Sequence, residues 1–137
     1  MSHTQLQYDF KLFMKKFTDR VEQDCLNAGI KPLTLRFPGE HFFQRAVERK
    51  VDKAVLGGLF TKLLRHHSCE LIFLAIKEGH DVRNFVDKPK TICVTYKTLK
   101  VLLHILKTED NYQVVAVTAL GEGMRNDNSE FFIEIVK

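Results

Sequence analysis

The hydrophobic rhythm of the chain changes near its middle, from a step of three or four residues to a step of two. From Gln5 to about Asn27, Leu6, Phe10, Phe13, Phe17 and Val21 step by four, three, four and four, drawing one apolar stripe along a helix. Lys11, Lys15, Lys16 and Arg20 lie off that stripe, and Gly29 just beyond it is a C-terminal stop. Lys31 to Phe37 alternates as a short strand or extended connector, and Pro38-Gly39 turns the chain. A second helix is predicted from Glu40 to about Lys50, burying Phe42, Phe43, Ala46 and Val47. Asp52 is a good N-cap for a third helix, since its carboxylate accepts bonds from the first free N–H groups. Val55, Leu56, Leu59, Phe60, Leu63 and Leu64 give that helix a wide apolar face. Its Gly57-Gly58 pair costs about 1 kcal/mol per glycine, which implies close packing against another backbone or a local break.

After His66-His67 the period becomes two. Cys69 to Ile76, Thr91 to Tyr96, Leu99 to Lys107, Tyr112 to Ala119 and Phe131 to Val136 are the strand candidates. The short turns Lys97-Thr98 and Glu109-Asp110-Asn111 force antiparallel neighbours. Stretches such as Val114 to Val117 are apolar on both faces, so one face must be covered, and the preceding helices are the material for it. The expected architecture is α+β, with N-terminal helices packed on one face of a four- to five-stranded antiparallel sheet. Two polar connections, Lys77 to Lys90 and Gly121 to Glu130, are rich in ionisable groups. No repeat or linker divides the chain, so residues 1–137 are expected to form a single domain.

Composition narrows the classes. At 45% apolar, the 137 residues have enough core material to fold without metals or disulfides. No uncharged apolar run reaches the roughly 18 residues of a membrane span, and the first ten residues lack the pattern of a secretory leader. Cys25, Cys69 and Cys93 have no metal-site spacing and read as cytosolic thiols, mostly buried; no metal or cofactor is expected. The net charge of +4 agrees with a polyanionic partner. GEGM at Gly121 lacks the lysine and helix of a phosphate loop, and no serine sits in a nucleophile elbow.

The stretch HFFQRAVERKVD carries the candidate chemistry. On a helix His41, Arg45, Glu48 and Arg49 fall at i, i+4, i+7 and i+8, along one face opposite the phenylalanines. Arginine holds a phosphate through two parallel hydrogen bonds, and imidazole moves a proton near neutral pH. A ribonuclease without a metal needs those parts: a base for the ribose 2′-hydroxyl, a cation for the phosphoryl oxygens and an acid for the departing 5′ oxygen. The same pattern also suits a solvated face on which Arg45 pairs with Glu48.

His41-Phe-Phe-Gln-Arg45-Ala46-Val-Glu-Arg49-Lys-Val-Asp52, followed by Leu59-Phe60 and Lys62, resembles the central helical segment of the phage RegB endoribonucleases. Their fold is related to that of the RelE and YoeB ribosome-dependent toxins, so the resemblance implies a RelE-like architecture. It also implies a metal-independent endoribonuclease in the host cytoplasm that cuts single-stranded messenger RNA, leaves a 2′,3′-cyclic phosphate and is aided by the ribosome or a ribosomal protein. In that resemblance His41 matches a catalytic histidine, and Arg45 and Arg49 match basic positions beside it. A second family histidine would fall at Thr61, a departure from the pattern. Another group then supplies its function, or cleavage is slower, or the chain is a catalytically silent module that binds RNA or a host protein.

His66, His67, His80 and His104 are the candidates for the missing group. His66 and His67 end the third helix, where the macrodipole favours a protonated ring, so they also suit capping. His104 shares a strand face with Leu102 and Leu106, the setting of a hydrogen-bonded core residue or of a sheet-surface cleft as in RelE-like folds. His66 and His104 join His41, Arg45 and Arg49 as expected catalytic residues. His67, His80, Arg83, Lys97, Lys100 and Arg125 are expected to bind RNA, and Phe85 and Tyr96 to stack on bases or pack.

Overall fold

The computed structural model describes residues 2–29, 33–36, 40–84, 86, 88–108, 112–120 and 129–135. Four helices precede most of the sheet. Helix α1 spans His3–Asn27, with the Ser2 hydroxyl accepting from Gln5 N–H at 3.2 Å as its N-cap. It stops as expected at Gly29, whose φ of 75° is open to glycine at no steric cost. Strand β1 (Leu33–Arg36), helix α2 (Glu40–Glu48) and helix α3 (Lys53–His66) follow. Asp52 caps α3 as read, its Oδ1 accepting from Ala54 and Val55 N–H at 2.8 and 3.1 Å. The glycine pair does not break α3. A Cβ on Gly58 would lie 3.2 Å from the Tyr96 ring, whereas one on Gly57 would meet nothing within 4 Å.

Cys69 to Ile76, expected as a strand, is instead the middle of helix α4 (Ser68–Glu78). Leu71 and Ala75, one turn apart, are fully buried, and Ile72 and Leu74 pack beside them, which is a helical face. Cys69 is exposed there, while Cys25 and Cys93 are buried.

The remaining strands are β2 (His80–Asp81), β3 (Thr91–Tyr96), β4 (Leu99–Lys107), β5 (Tyr112–Leu120) and β6 (Phe131–Ile135). The order is β1-β5-β4-β3-β6, with β2 paired to the far end of β4. The two expected hairpins are present as the antiparallel pairs β3–β4 and β4–β5. Lys97, in the first, takes a left-handed φ of 55°, as primed hairpin turns require. The sheet as a whole is mixed rather than antiparallel, because β1 runs parallel to β5 and β6 parallel to β3. The α+β layering stands: helices supply one side of a single core that includes Phe42, Phe60, Val101, Leu103, Val114 and Ile133. Cys93 and Leu120 are buried outside that core, and by register they lie opposite Leu102 and Lys100, on the other face of the sheet. His104 alternates with fully buried Leu103 and Ile105 and belongs to that second face.

Candidate functional site

Helix α2 divides cleanly by side. Phe42, Phe43 and Ala46 are buried, and His41, Arg45 and Glu48 are exposed. Arg45 Nη1 donates to Glu48 Oε2 at 3.1 Å, an i, i+3 surface pair worth about 0.2–1 kcal/mol and easily exchanged for another anion. Arg49, one residue past the helix, turns elsewhere. Its Nη1 donates to the Ala119 carbonyl at 2.6 Å and to Thr118 Oγ1 at 3.0 Å, tying the end of α2 to β5.

Helices α2 and α3 meet through phenylalanine rings that both pack against α1. The Phe42 and Phe60 rings meet edge-on with centroids 6.5 Å apart, and Phe10 of α1 touches Phe43 and Phe60 at 5.9 and 6.1 Å. His41 and Thr61 are the immediate chain neighbours of Phe42 and Phe60, His41 exposed on α2 and Thr61 half-buried on α3. Thr61 lines a cleft of about 820 Å³ between α1 and α3, with Phe10, Gly57 and Gly58 as apolar wall and Asp9, Asp52 and Lys53 at its edge. Lys53 Nζ pairs with Asp9 Oδ2, and that contact holds the Asp9 carboxyl below its usual range. The Thr61 hydroxyl donates to the Gly57 carbonyl at 2.8 Å.

The other expected residues are scattered. His66 is exposed on the last turn of α3, and His67 Nδ1 lies 2.8 Å from Glu70 Oε1. Lys97 and Lys62 sit over the Tyr96 ring, at 5.4 and 5.9 Å from its centroid. Tyr96 is only 8% exposed, so it packs and offers no platform for a base. Arg83 is locked onto Asp81 by two side-chain bonds at 2.9 and 3.1 Å, and by hydrogen bonding the pair holds the Asp81 carboxyl down to about 2. Phe85 and Arg125 lie outside the described residues.

His80, His104 and Lys100 share the second sheet face: His80 is in register with Leu106, and Lys100 lies four residues before His104 on β4. Burial pulls the His104 ring below its ordinary range; Glu130 opposes that shift electrostatically and His80 adds to it. Burial likewise raises the Cys93 thiol, against Thr95 and Lys100, so it stays protonated. The fold therefore separates two sets, His41 with Arg45 on the outer side of α2 and His80 with His104 beyond the sheet. Lys88, which shares a loop with His80 in the sequence, and Lys107, which sequence reasoning missed, line a polar cleft beside His80. Lys107 had no local signal, since it ends β4 and only the parallel pairing with β2 brings it to this cleft.

No family model matches the chain, and no curated protein sequence does. A solved structure does match: the solution structure of the phage T4 endoribonuclease RegB, with a TM-score of 0.64. The alignment covers 96% of this chain and 92% of that one at 18% identity, so the two share a fold. No helix among the described residues is long and apolar enough to cross a membrane.

Proposed function

We propose that this chain, which has the RegB fold, is a metal-independent endoribonuclease that cuts single-stranded messenger RNA and leaves a 2′,3′-cyclic phosphate. The observation that carries the reading is the exposed His41–Arg45 row on α2, inside the stretch that resembles the RegB enzymes. The His41 imidazole takes the proton of the ribose 2′-hydroxyl, and the freed oxygen bonds to the adjacent phosphorus. The bond from phosphorus to the 5′ oxygen breaks, and that oxygen leaves as a hydroxyl after taking a proton. General base catalysis of this kind supplies about 10²–10⁴-fold.

Arg45 exchanges its exposed Glu48 partner for the phosphoryl oxygens and stabilises the charge that develops there. Arg49 is a positioning residue, since its bonds to Thr118 and Ala119 hold the α2 terminus in place. With the Thr61 hydroxyl committed to Gly57, water protonates the leaving oxygen, and the site works with one histidine. The host cytoplasm as location, and the ribosome or a ribosomal protein as helper, follow from the same family resemblance.

One observation favours a second reading. Thr61 stands where the resemblance calls for a histidine, which suits a silent module that binds RNA or a host protein. Labelled single-stranded RNA incubated with the protein in EDTA separates the two. Cyclic-phosphate ends, lost in His41→Ala with an unchanged thermal melt, are the expected result for the enzyme. A gel shift with intact RNA selects the binder. Wild-type cleavage rates in a folded His41→Ala protein would remove His41 from the mechanism.

A further inference from the structure

The cleft beside β2 is polar, about 480 Å³, and lined by Glu78, His80, Asp81, Lys88, Lys90 and Lys107 among others. Its charges are not equally available. Glu78 is paired with Lys90, and Asp81 is doubly bonded to Arg83, so both carboxylates already have a cation. Lys88 is exposed and has no ion pair among the described residues, and Lys107 acts on Asp81 only through space. What remains for a ligand is positive: two ammonium groups beside an imidazole.

The backbone builds this arrangement tightly. Helix α4 turns straight into β2 at Gly79, where a Cβ would lie 2.4 Å from the Ala75 carbonyl oxygen, so only glycine fits. That turn sets His80 in parallel register with Leu106 and Asp81 with Lys107. From the Arg49 anchor at Thr118, opposite Leu102, β4 runs five residues to Lys107, or roughly 17 Å along the sheet. The cleft is therefore separate from the α2 row.

We infer that Lys88, Lys107 and His80 form a second phosphate-binding subsite that holds the backbone of a single-stranded RNA away from the point of cleavage. The subsite rests on the RNA-cleaving reading for its ligand but not on any catalytic step. It reassigns the cationic lining of this region: Lys88 and Lys107 contact phosphate, while Arg83 and Lys90 serve the structure through their carboxylate partners.

The test uses the full chain and a 2′-O-methylated oligonucleotide, which lacks the attacking hydroxyl and stays intact. Binding is titrated over a range of salt. Each lysine that neutralises a phosphate of a single strand contributes about 0.7 to the slope of log affinity against log salt. Lys88→Ala/Lys107→Ala should flatten that slope by about 1.4, Lys88→Arg/Lys107→Arg should restore it, and Lys11→Ala/Lys15→Ala on α1 should leave it unchanged. A wild-type slope in the folded Lys88→Ala/Lys107→Ala protein overturns the subsite alone. So does an equal loss in the α1 variant, which would mark a diffuse charge effect. Failure of the wild-type protein to bind the oligonucleotide overturns the subsite, while the nuclease reading stands or falls separately on cyclic-phosphate ends in the cleavage assay. A flattened slope in a protein that cuts no RNA supports the subsite and transfers it to the silent binder.

Discussion

An imidazole on a half-buried sheet face is tolerated most easily in its neutral form, and His104 is in that position between Leu102 and Leu106. Burial is the largest cause of its lowered proton affinity, with Glu130 acting in the opposite direction. The unfolded chain therefore binds more protons than the folded one between the folded pKa and the ordinary value of 6.5. The contribution is complete above 6.5 and is lost as pH falls toward the folded pKa. Melting temperatures at about pH 7 and pH 5 should show it: the wild-type drop on acidification exceeds that of His104→Gln. Equal drops would mean that the ring titrates in the native state as freely as in the unfolded chain. The alternation that puts His104 on a face with leucines was legible in the sequence. Its approach to His80 and Glu130 was not, because those residues arrive from elements 24 and 26 positions away that only the sheet register brings together.

Among the elements, α1 to α3 were legible because each combines a helical stripe with an end signal: Gly29 after α1, Pro38-Gly39 before α2 and Asp52 before α3. Helix α4 was misread because Leu71 to Ile76 is apolar at every position, and such a run has no period of its own. The discriminating signals were at its ends. Glu70 in the first turn and Lys77 in the last complement the helix dipole, and Gly79 follows as a stop. The two α3 glycines share one helix and differ in what surrounds them. Gly57→Ala fills open space and removes a glycine penalty, so it should stabilise the protein by about 0.5–1 kcal/mol. Gly58→Ala gains the same propensity but presses on the Tyr96 ring at 3.2 Å, and its gain should be smaller or reversed. Urea denaturation of the two variants decides this; equal gains would show that the Tyr96 contact yields without cost.

For the whole molecule, hairpin turns gave the two antiparallel pairs, but nothing local announces a parallel one. β1 meets β5 only after three helices and most of the sheet have intervened, and β6 meets β3 across the β4–β5 hairpin. The candidate site depends on the same long-range packing. His41 and Thr61 are 20 residues apart, on two helices whose Phe42, Phe43 and Phe60 gather around Phe10. If that packing carries a two-histidine ribonuclease geometry with one partner replaced, restoring the partner should restore its contribution. Thr61 lines a cleft of about 820 Å³, so an imidazole has room, and the lost hydroxyl bond to Gly57 leaves a carbonyl that still serves the helix ladder. Thr61→His should therefore fold and raise the cleavage rate at least about tenfold, the lower part of what a positioned acid supplies. The gain should vanish when His41→Ala is added, since the new acid acts on a reaction that His41 starts. A folded Thr61→His protein that cuts no faster than wild type would place the second proton donor elsewhere. A gain that survives the loss of His41 would separate the reaction from α2 altogether.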